Sequence, residues 1–293
     1  MITERSTGPC RFDHSQFSAQ VLASARKATV SVCLPARDEA ATISGIVETI
    51  RGELVEDTCL VDEILVVDDR SADDTAAQAV AAGAKVVPVT APTGSVSGKG
   101  AAMATALAES RGDVVVFLDA DVERFSSHFV VGLLGPLLFH QNLRFVKATY
   151  LRPIAGVLGE GGRVTELVAK PLLALLHPEL AQFTQPLAGE IAAHRSVLED
   201  LSLPCDYGVD VAVLIDVVRR VGLDSMAEVD LGECRHRNRR LFELAPQARS
   251  VARAILERAG VGTAIAADTG VGCAEVPQQR HGCRPVDRPS IQW

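Results

Sequence analysis

Two aspartates, Asp119 and Asp121, follow an apolar segment at residues 114–118. The valines, phenylalanine and leucine of that segment are typical of a strand buried on both faces of a parallel sheet. Residues two apart in an extended chain point to the same side, so the two carboxylates can face together. Hard oxygen ligands suit a divalent cation, which can bridge the phosphates of a nucleotide. The Asp-x-Asp spacing alone is equally consistent with a metal site and with a helix cap or a turn. Its position after a buried strand favours the metal site.

Two further groups in the first half have residue types suited to chemistry. Asp68 and Asp69 follow an apolar segment at 61–67, and the next residues predict a helix capped by Ser71. Lys99 lies between two glycines at the start of a helix predicted over 101–110. A lysine and unpaired backbone N–H groups at a helix N-terminus suit an anion. The alternative is a flexible hinge with an exposed lysine.

The second half contains two candidate anion-binding segments. Arg163 and Thr165 open a predicted helix, which ends near residue 176, after a glycine-rich loop. An arginine, a hydroxyl and a helix N-terminus suit a phosphate or carboxylate, although a simple cap with a solvated arginine explains them equally well. The basic stretch at 235–240 contains His236. It could be a nucleic-acid patch, a solvated charge run or part of a site for anionic substrates.

The elements that would position these residues alternate between strand and helix. Strands are predicted at 29–35, 61–67, 85–89 and 112–118, each followed by a helical pattern. This alternation predicts an α/β fold, with a doubly wound, mostly parallel sheet flanked by helices. Because the carboxyl ends of parallel strands meet at one edge, the acids and lysine of the first half should gather there. These residues are Asp68, Asp69, Lys99, Asp119 and Asp121.

The chain divides into four predicted regions. Residues 1–28 are polar and predict a peripheral arm with a short helix near 18–26, so ordered structure should begin at Thr29. Residues 29–150 form the first subdomain and 151–258 the second, with strands near 145–150 and 226–230, a short strand or turn at 189–195, and a helix over 207–221. Residues 259–293 are rich in Gly, Pro, Gln and Arg and predict a wrapped or disordered tail.

Composition limits the functional classes. The 293 residues carry a formal net charge of −8, which argues against general binding to nucleic acid or to an anionic membrane. The longest mostly apolar run, residues 130–139, is too short to span a membrane, and the N-terminus lacks the apolar core of a signal peptide. Seven cysteines without a Cys-x-x-Cys pair indicate reduced thiols. We expect a cytoplasmic protein.

Several motifs resemble a known family. LPARDE (34–39), VDDRSADDT (67–75), GKG (98–100) and DAD (119–121) resemble the nucleotide-sugar half of GT-A glycosyltransferases, whose sheet is Rossmann-like. GRVTELVA (162–169), QPLAGE (185–190), YGV (207–209) and HRNR (236–239) resemble actinobacterial glucosyl-3-phosphoglycerate synthases. The resemblance extends from about residue 29 to residue 258. The second set of motifs is the more specific, because the first is common to many sugar transferases.

The resemblance implies a retaining transfer of glucose from UDP-glucose to the 2-hydroxyl of 3-phosphoglycerate, with Mg²⁺ or Mn²⁺. The second half would then bind the acceptor. The residues that would contact the donor are Pro35, Ala36, Arg37, Glu39, Asp69, Lys99, Asp119 and Ala120. The residues that would seat the acceptor are Gly162, Arg163, Val164, Thr165 and Asn238. Asp121 and His236 would hold the metal, and the implied catalytic set is Lys99, Asp119, Asp121 and Asp210.

Three departures from the family pattern leave the substrates open. The family has asparagine where this chain has Asp38, serine at Asp69 and glutamate at Asp210. A GDP-linked or other sugar nucleotide, or a different phosphorylated acceptor, is therefore an alternative. A nucleotidyltransferase and a non-catalytic sugar-nucleotide-binding protein are further alternatives. The apolar helices of the second half predict a homodimer.

Overall fold

The computed structural model describes residues 8–90, 98–152, 162–236 and 240–261, except for the side chain of His236. Residues 262–293 of the predicted tail, the loop at 91–97 and Asn238 lie outside the described residues. The strands are, in chain order, β1 Cys10–Asp13, β2 Val30–Ala36, β3 Glu63–Asp68, β4 Lys85–Pro88, β5 Val114–Phe117, β6 Val122–Glu123, β7 Phe145–Leu151, β8 Ile191–His194, β9 Met226–Glu233 and β10 Arg235–His236.

The predicted mostly parallel sheet is confirmed. Eight strands form it in the order β1-β9-β7-β8-β5-β2-β3-β4. Strand β8 runs antiparallel to both of its neighbours, β5 and β7, and the other pairings are parallel. Strands β6 and β10 form a separate antiparallel pair. The segment predicted as a short strand or turn at 189–195 is thus a strand at the junction of the two halves.

Helices cover both faces of the sheet. They are, in chain order, α1 Ala19–Ala25, α2 Ile43–Thr49, α3 Thr75–Ala82, α4 Lys99–Glu109, α5 His128–Phe139, α6 Lys170–Leu176, α7 Arg195–Leu198, α8 Val209–Val221 and α9 Ala245–Arg258. A π-helical segment, Ile50–Asp57, extends α2, and another, Thr165–Ala169, precedes α6. Among the described residues, no helix is long and apolar enough to cross a membrane.

Strand β5 shows why the sheet has two apolar layers. Val114 and Val116 belong to one core cluster, whereas Val115 and Phe117 belong to the cluster on the opposite face. Successive side chains of a strand point to opposite faces, so a continuous apolar run fits a strand covered on both sides. The four residues are at most 1% exposed, which confirms the strand predicted from the run before Asp119.

The expectation that order begins at Thr29 is wrong. Strand β1 pairs in parallel with β9 at the edge of the sheet, with Cys10 opposite Ala227. Its side chains are largely exposed, so backbone hydrogen bonds rather than an apolar pattern hold it, and composition does not reveal it. Arg11 adds an ion pair, with its Nε 3.4 Å from Oε2 of buried Glu228. The short helix predicted near 18–26 is confirmed as α1.

Candidate active site

The loops that follow β2 and β3 lie side by side at the carboxyl edge of the sheet. Ala36 is opposite Asp68 in the parallel register, and the Asp69 N–H donates to the Ala36 carbonyl at 2.8 Å. The Asp38 N–H donates to Ser71 Oγ at 3.0 Å, and the Ala72 N–H donates to Asp38 Oδ1 at 2.7 Å. The carboxylate that departs from the family pattern at position 38 therefore bridges the two loops.

Helix α3 begins differently from the sequence prediction. Ser71 does not cap it, because the helix starts at Thr75 and Asp74 holds the N-cap position. The Ser71 hydroxyl accepts the Asp38 N–H. Asp73 instead accepts the Thr75 N–H at 3.0 Å and, through its other oxygen, the Ala40 N–H at 3.1 Å. The Glu39 N–H donates to Thr75 Oγ1 at 2.8 Å. Since these bonds join the two loops, the backbone from Pro35 to Glu39 is held rigidly at the edge of the sheet.

A charged group lies within these loops, and we call it the outer cluster: Arg37, Asp69 and Arg70. Asp69 is 4% exposed and lies 3.8 Å from Arg37 Nη1 and 3.4 Å from Arg70 Nε. Both arginine side chains are more than half exposed. Nearby, Asp68 Oδ1 is buried and has no hydrogen-bond partner among the described residues. A buried acceptor of this kind suits an N–H group of a ligand.

A second charged group is buried, and we call it the inner cluster: Lys99, Asp119 and Asp210. Lys99 Nζ lies 2.7 Å from Asp119 Oδ1 and 3.0 Å from Asp210 Oδ1, and the three side chains are 13%, 22% and 8% exposed. Burial opposes the charge on Lys99, but Asp119 and Asp210 outweigh it and raise the pKa of the ammonium. Burial raises the pKa of Asp210, against the effect of Lys99.

Close backbone packing places Lys99 in this cluster. A Cβ built on Gly100 would lie 1.7 Å from the Pro204 carbonyl oxygen, and one on Gly98 would lie 2.8 Å from that of Cys205. The Ala101 N–H donates to the Cys205 carbonyl at 3.2 Å. Glycines are therefore required where α4 meets the loop before α8, and the helix start is partly occupied by protein carbonyls. The alternative of a flexible hinge with an exposed lysine is wrong.

Gly189 forms one wall of the inner cluster. A Cβ built on it would lie 2.2 Å from Asp119 Oδ1 and 2.4 Å from Lys99 Nζ, so only a glycine fits without displacing the pair. The sequence comparison singled out QPLAGE as a motif but assigned no role to its glycine. The motif is visible in the sequence, but the role of its glycine depends on the tertiary fold. The pairing of β8 with β5 brings Gly189 beside Asp119 and Lys99, which lie 70 and 90 positions earlier in the chain.

A polar network lies behind Gly189 and was not predicted. Lys147 on β7 is 1% exposed and donates from Nζ to the Ala188 carbonyl at 2.7 Å. The Tyr150 hydroxyl donates to Glu190 Oε2 at 2.7 Å and accepts from Arg152 Nη2 at 2.6 Å. In the sequence, Lys147 is a charged residue within the apolar segment at 145–150, and this could have indicated the network. A strand pattern alone, however, does not show whether such a charge is buried.

Strand pairing brings the backbone of the two predicted metal ligands, Asp121 and His236, close together. In the β6 and β10 pair, His236 is opposite Val122, the residue that follows Asp121. Thr42 Oγ1 donates to the Ala120 carbonyl at 2.6 Å and so fixes the turn between the two aspartates to the start of α2. Among the described side chains, which exclude that of His236, no group of three acidic, histidine or cysteine residues is arranged to hold a metal. A carboxylate and an imidazole are both ligand types that suit a divalent cation.

The four described acceptor residues of the prediction, Gly162 to Thr165, lie at the start of a helix. Gly162 has φ +77°, in the left-handed region, and its carbonyl accepts the Glu166 N–H at 3.0 Å. Val164 and Thr165 are buried, and Arg163 is half-buried. Val164 shares an apolar cluster with residues of α4 and α8, the helices that carry Lys99 and Asp210. Thr165 lies inside this helix and therefore is not its cap.

Comparison with known proteins identifies the class. Residues 31–129 match the model of glycosyl transferase family 2, which agrees with the fold and with acidic residues at the carboxyl edge of the sheet. The protein is therefore a glycosyltransferase. The glucosyl-3-phosphoglycerate synthase of Mycolicibacterium paratuberculosis is 45% identical over 258 residues, which cover 84% of this chain and 76% of that protein. The chain belongs to the glucosyl-3-phosphoglycerate synthase family.

Two solved structures are similar over most of the chain. Glucosyl-3-phosphoglycerate synthase from Mycobacterium tuberculosis, in complex with Mn²⁺, UDP-glucose and phosphoglyceric acid, has a TM-score of 0.79 at 41% identity and covers 87% of this chain and 89% of that one. Mannosyl-3-phosphoglycerate synthase from Rubrobacter xylanophilus has a TM-score of 0.80 at 43% identity, covering 85% and 80%. The mycobacterial enzyme has also been solved with Mg²⁺ and UDP.

Proposed function

We propose that this protein transfers glucose from UDP-glucose to the 2-hydroxyl of 3-phosphoglycerate with retention of configuration, assisted by Mg²⁺ or Mn²⁺. The observation that carries the proposal is the inner cluster, because its Asp119 precedes Val122 by three residues and Val122 is opposite His236 in the pair of β6 and β10. The sugar and the diphosphate would then meet at one point of the sheet edge. The ligands of the mycobacterial enzyme support this assignment.

The nucleoside would bind along the two interlocked loops. Pro35, Ala36, Arg37 and Glu39 would line it, with Asp69 at the side. Asp68 Oδ1, which has no hydrogen-bond partner within the described part of the chain, would be available to a base N–H. Rigid loops lower the entropy lost on binding, which favours a preformed nucleoside pocket. Asp119 and Ala120 would meet the ribose or the sugar, because they follow β5 at the same edge.

Asp121 and His236 would hold the metal against the diphosphate. When bound, a divalent cation opposes the negative charge that accumulates on a departing diphosphate. The donor set of a carboxylate and an imidazole fits Mn²⁺ or Mg²⁺ together with phosphate oxygens. We propose no protein nucleophile. The acceptor oxygen would bond to the sugar carbon as the bond between that carbon and the diphosphate breaks. The acceptor proton would pass to the leaving phosphate.

Lys99 would act mainly by orientation. Two carboxylates already balance its charge, so it would hold Asp119 and Asp210 in fixed positions toward the sugar hydroxyls. Fixed polar groups stabilise a charged transition state more than mobile ones do, because they need no reorganisation during the reaction. Gly162, Arg163, Val164 and Thr165, with Asn238, would seat the acid and phosphate of the acceptor at the start of their helix.

Calorimetry tests the donor and metal assignment. UDP-glucose is titrated into the protein with Mn²⁺ and after chelation, and then into Asp121→Asn with Mn²⁺. We expect binding to weaken by about tenfold or more in both of the latter cases, since a ligand contact to the metal is lost. Asp200→Asn, at an exposed acid that pairs with Arg220, is the matched control and should bind as the unchanged protein does. Equal affinity with and without metal would contradict the Asp121 and His236 assignment.

A mannose-bearing donor is the second candidate. Two observations support this candidate: the similarity to mannosyl-3-phosphoglycerate synthase, and the buried carboxylate of Asp69. A crossed assay of UDP-glucose, GDP-glucose and GDP-mannose with 3-phosphoglycerate, read by mass spectrometry of the product, decides between the donors. We expect the UDP-glucose product to form fastest. Faster formation of the mannosyl product would replace the first candidate with the second.

We also propose that the protein is a homodimer through the helix that starts near Arg163. Leu167 and Leu175 are 72% and 78% exposed and lie two turns apart, which favours burial against a partner. Light scattering after gel filtration tests this. Leu175→Asp should shift the protein toward a monomer, whereas Val80→Asp, at an exposed site on α3, should leave the mass unchanged.

We expect the protein to work in the cytoplasm. Cys10, Cys33, Cys59 and Cys205 carry thiols rather than disulfides. Burial raises the pKa of the Cys33 thiol to about 12, so this group is an unreactive part of the core. Fractionation of cells that produce the tagged full-length chain measures the location directly.

A further inference from the structure

Lys147 is a buried cation in the middle of the sheet. It lies on β7, is 1% exposed, and donates from Nζ to the Ala188 carbonyl at 2.7 Å. Among the described residues, no carboxylate oxygen forms an ion pair with Lys147 Nζ within 4 Å. A buried ammonium without a contacting carboxylate is unfavourable, so its presence does not stabilise the fold. This residue therefore needs an explanation other than packing.

The charged groups that face Lys147 come from four elements. They are Asp210 on α8, Lys99 on α4, Asp119 after β5 and Glu190 before β8. Three of these are carboxylates, and Lys147 adds a second cation beside Lys99. Lys147 is thus buried close enough to the inner cluster to interact with the charges of all three of its members.

The Lys147 contact acts directly on the wall of the cluster. Its hydrogen bond ends on Ala188, the residue immediately before Gly189, and Gly189 fits against Asp119 and Lys99 with no room for a Cβ. The next residue of the strand holds the other side, because the Ala148 N–H donates to the Glu190 carbonyl at 3.0 Å. Gly189 is thereby held from both sides by β7.

We propose that Lys147 is a positioning residue for sugar transfer, which holds the segment 188–190 against Asp119 and Lys99. The inference rests on the proposed function of the inner cluster. The ammonium fixes the Ala188 carbonyl, the carbonyl fixes Gly189, and Gly189 sets where the Asp119 carboxylate can lie. Loss of the ammonium would let this wall move away from the pair without emptying the donor site.

A positioning role and a structural role predict different behaviour for Lys147→Met. Methionine fills the same length of side chain without an ammonium to desolvate, so the folded protein should be as stable as before or more stable. A residue that only supported the fold would instead lose stability and activity together. Activity and stability should therefore change in opposite directions.

The experiment compares Lys147→Met and Lys147→Gln with the unchanged protein. The metal and substrates are those that give the fastest product in the crossed assay. We expect kcat to fall by about tenfold or more in Lys147→Met, with donor KM within about threefold and no fall in the midpoint of thermal unfolding. Lys147→Gln keeps a donor for the Ala188 carbonyl and should recover part of kcat. Lys85→Met, at an exposed lysine, should leave kcat unchanged.

The outcomes separate this inference from the proposed function. A wrong substrate pair would appear as an inactive unchanged protein, before any variant is compared. The inference is overturned if Lys147→Met keeps kcat within about twofold, or if its activity falls only in proportion to the folded fraction. If Lys147→Met does not fold, Lys147→Gln is judged by the same two measurements.

Discussion

The outer and inner clusters both join carboxylates to cations, but they differ in the exposure of those cations and in distance. In the outer cluster, Asp69 lies 3.4 Å from Arg70 and 3.8 Å from Arg37, and both arginines face solvent. In the inner cluster, Lys99 lies 2.7 Å and 3.0 Å from two carboxylates and is largely excluded from solvent. The first arrangement leaves guanidinium groups available to a ligand, and the second leaves almost no freedom to its members.

This difference separates recognition from orientation. Exposed ion pairs contribute roughly 0–1 kcal/mol and can exchange a protein partner for a ligand at little cost. Removal of one member of a buried pair costs about 3–5 kcal/mol, because the remaining charge is left uncompensated. Under the proposed function, the outer cluster would select the nucleoside, whereas the inner cluster would hold groups in one geometry around the sugar.

The largest expected effect is from Lys99→Met, which leaves Asp119 and Asp210 buried without their shared cation. We expect a loss of about 3–5 kcal/mol in the free energy of unfolding, measured by urea denaturation, and no detectable transfer. Lys85→Met, which removes an exposed lysine with surface partners, is the control and should lose less than about 1 kcal/mol. Similar losses in the two variants would remove the distinction between buried and exposed clusters.

Gly189→Ala should have the next largest effect. The added methyl group would lie 2.2 Å from Asp119 Oδ1, so the pair or the strand must shift. We expect a loss of about 1–3 kcal/mol in unfolding free energy and, because the pair is displaced, a fall in kcat of about 100-fold. Gly45→Ala, on α2 with nothing within 4 Å of the new methyl, should instead stabilise the protein by about 0.5–1 kcal/mol.

The pH dependence of stability should show that Lys147 is buried as a cation. Burial lowers its pKa from an ordinary value near 10.5 to about 8, against the effect of Asp210. Between these values the unfolded chain binds more protons than the folded one, so the free energy of unfolding should rise with pH. We expect a rise of about 2 kcal/mol from pH 7 to pH 9.5 in the unchanged protein relative to Lys147→Met. Parallel curves would show that Lys147 is solvated.

Arg37→Ala in the outer cluster should have the smallest effect on stability. Its side chain is 56% exposed and its nearest carboxylate oxygens are 3.8 Å and 3.9 Å away, so unfolding free energy should change by less than about 1 kcal/mol. Donor KM should rise about threefold to tenfold, and less so at high salt, if the guanidinium contacts the nucleotide. Arg51→Ala, an exposed arginine beside Glu56, should leave KM unchanged.

Sequence patterns were sufficient for strands β3 and β5 at the carboxyl edge of the sheet. The continuous apolar runs before Asp68 and before Asp119 identified β3 and β5, because a strand buried on both faces needs apolar residues at consecutive positions. They were insufficient for β1, whose exposed residues pair with β9 by backbone hydrogen bonds. The helix predicted to begin near Arg163 was found, but its π-helical segment has no sequence pattern that we recognised.

The sequence by itself determined the chemical inventory at the sheet edge, since a parallel sheet brings the carboxyl ends of its strands together wherever acids follow apolar runs. Only the tertiary structure decided which of those charges are buried. Lys99 meets Asp210 across 111 positions of the chain, and Gly189 and Lys147 close around the pair because β8 is inserted between β5 and β7. Burial depends on what packs against a residue, and no local pattern contains that information.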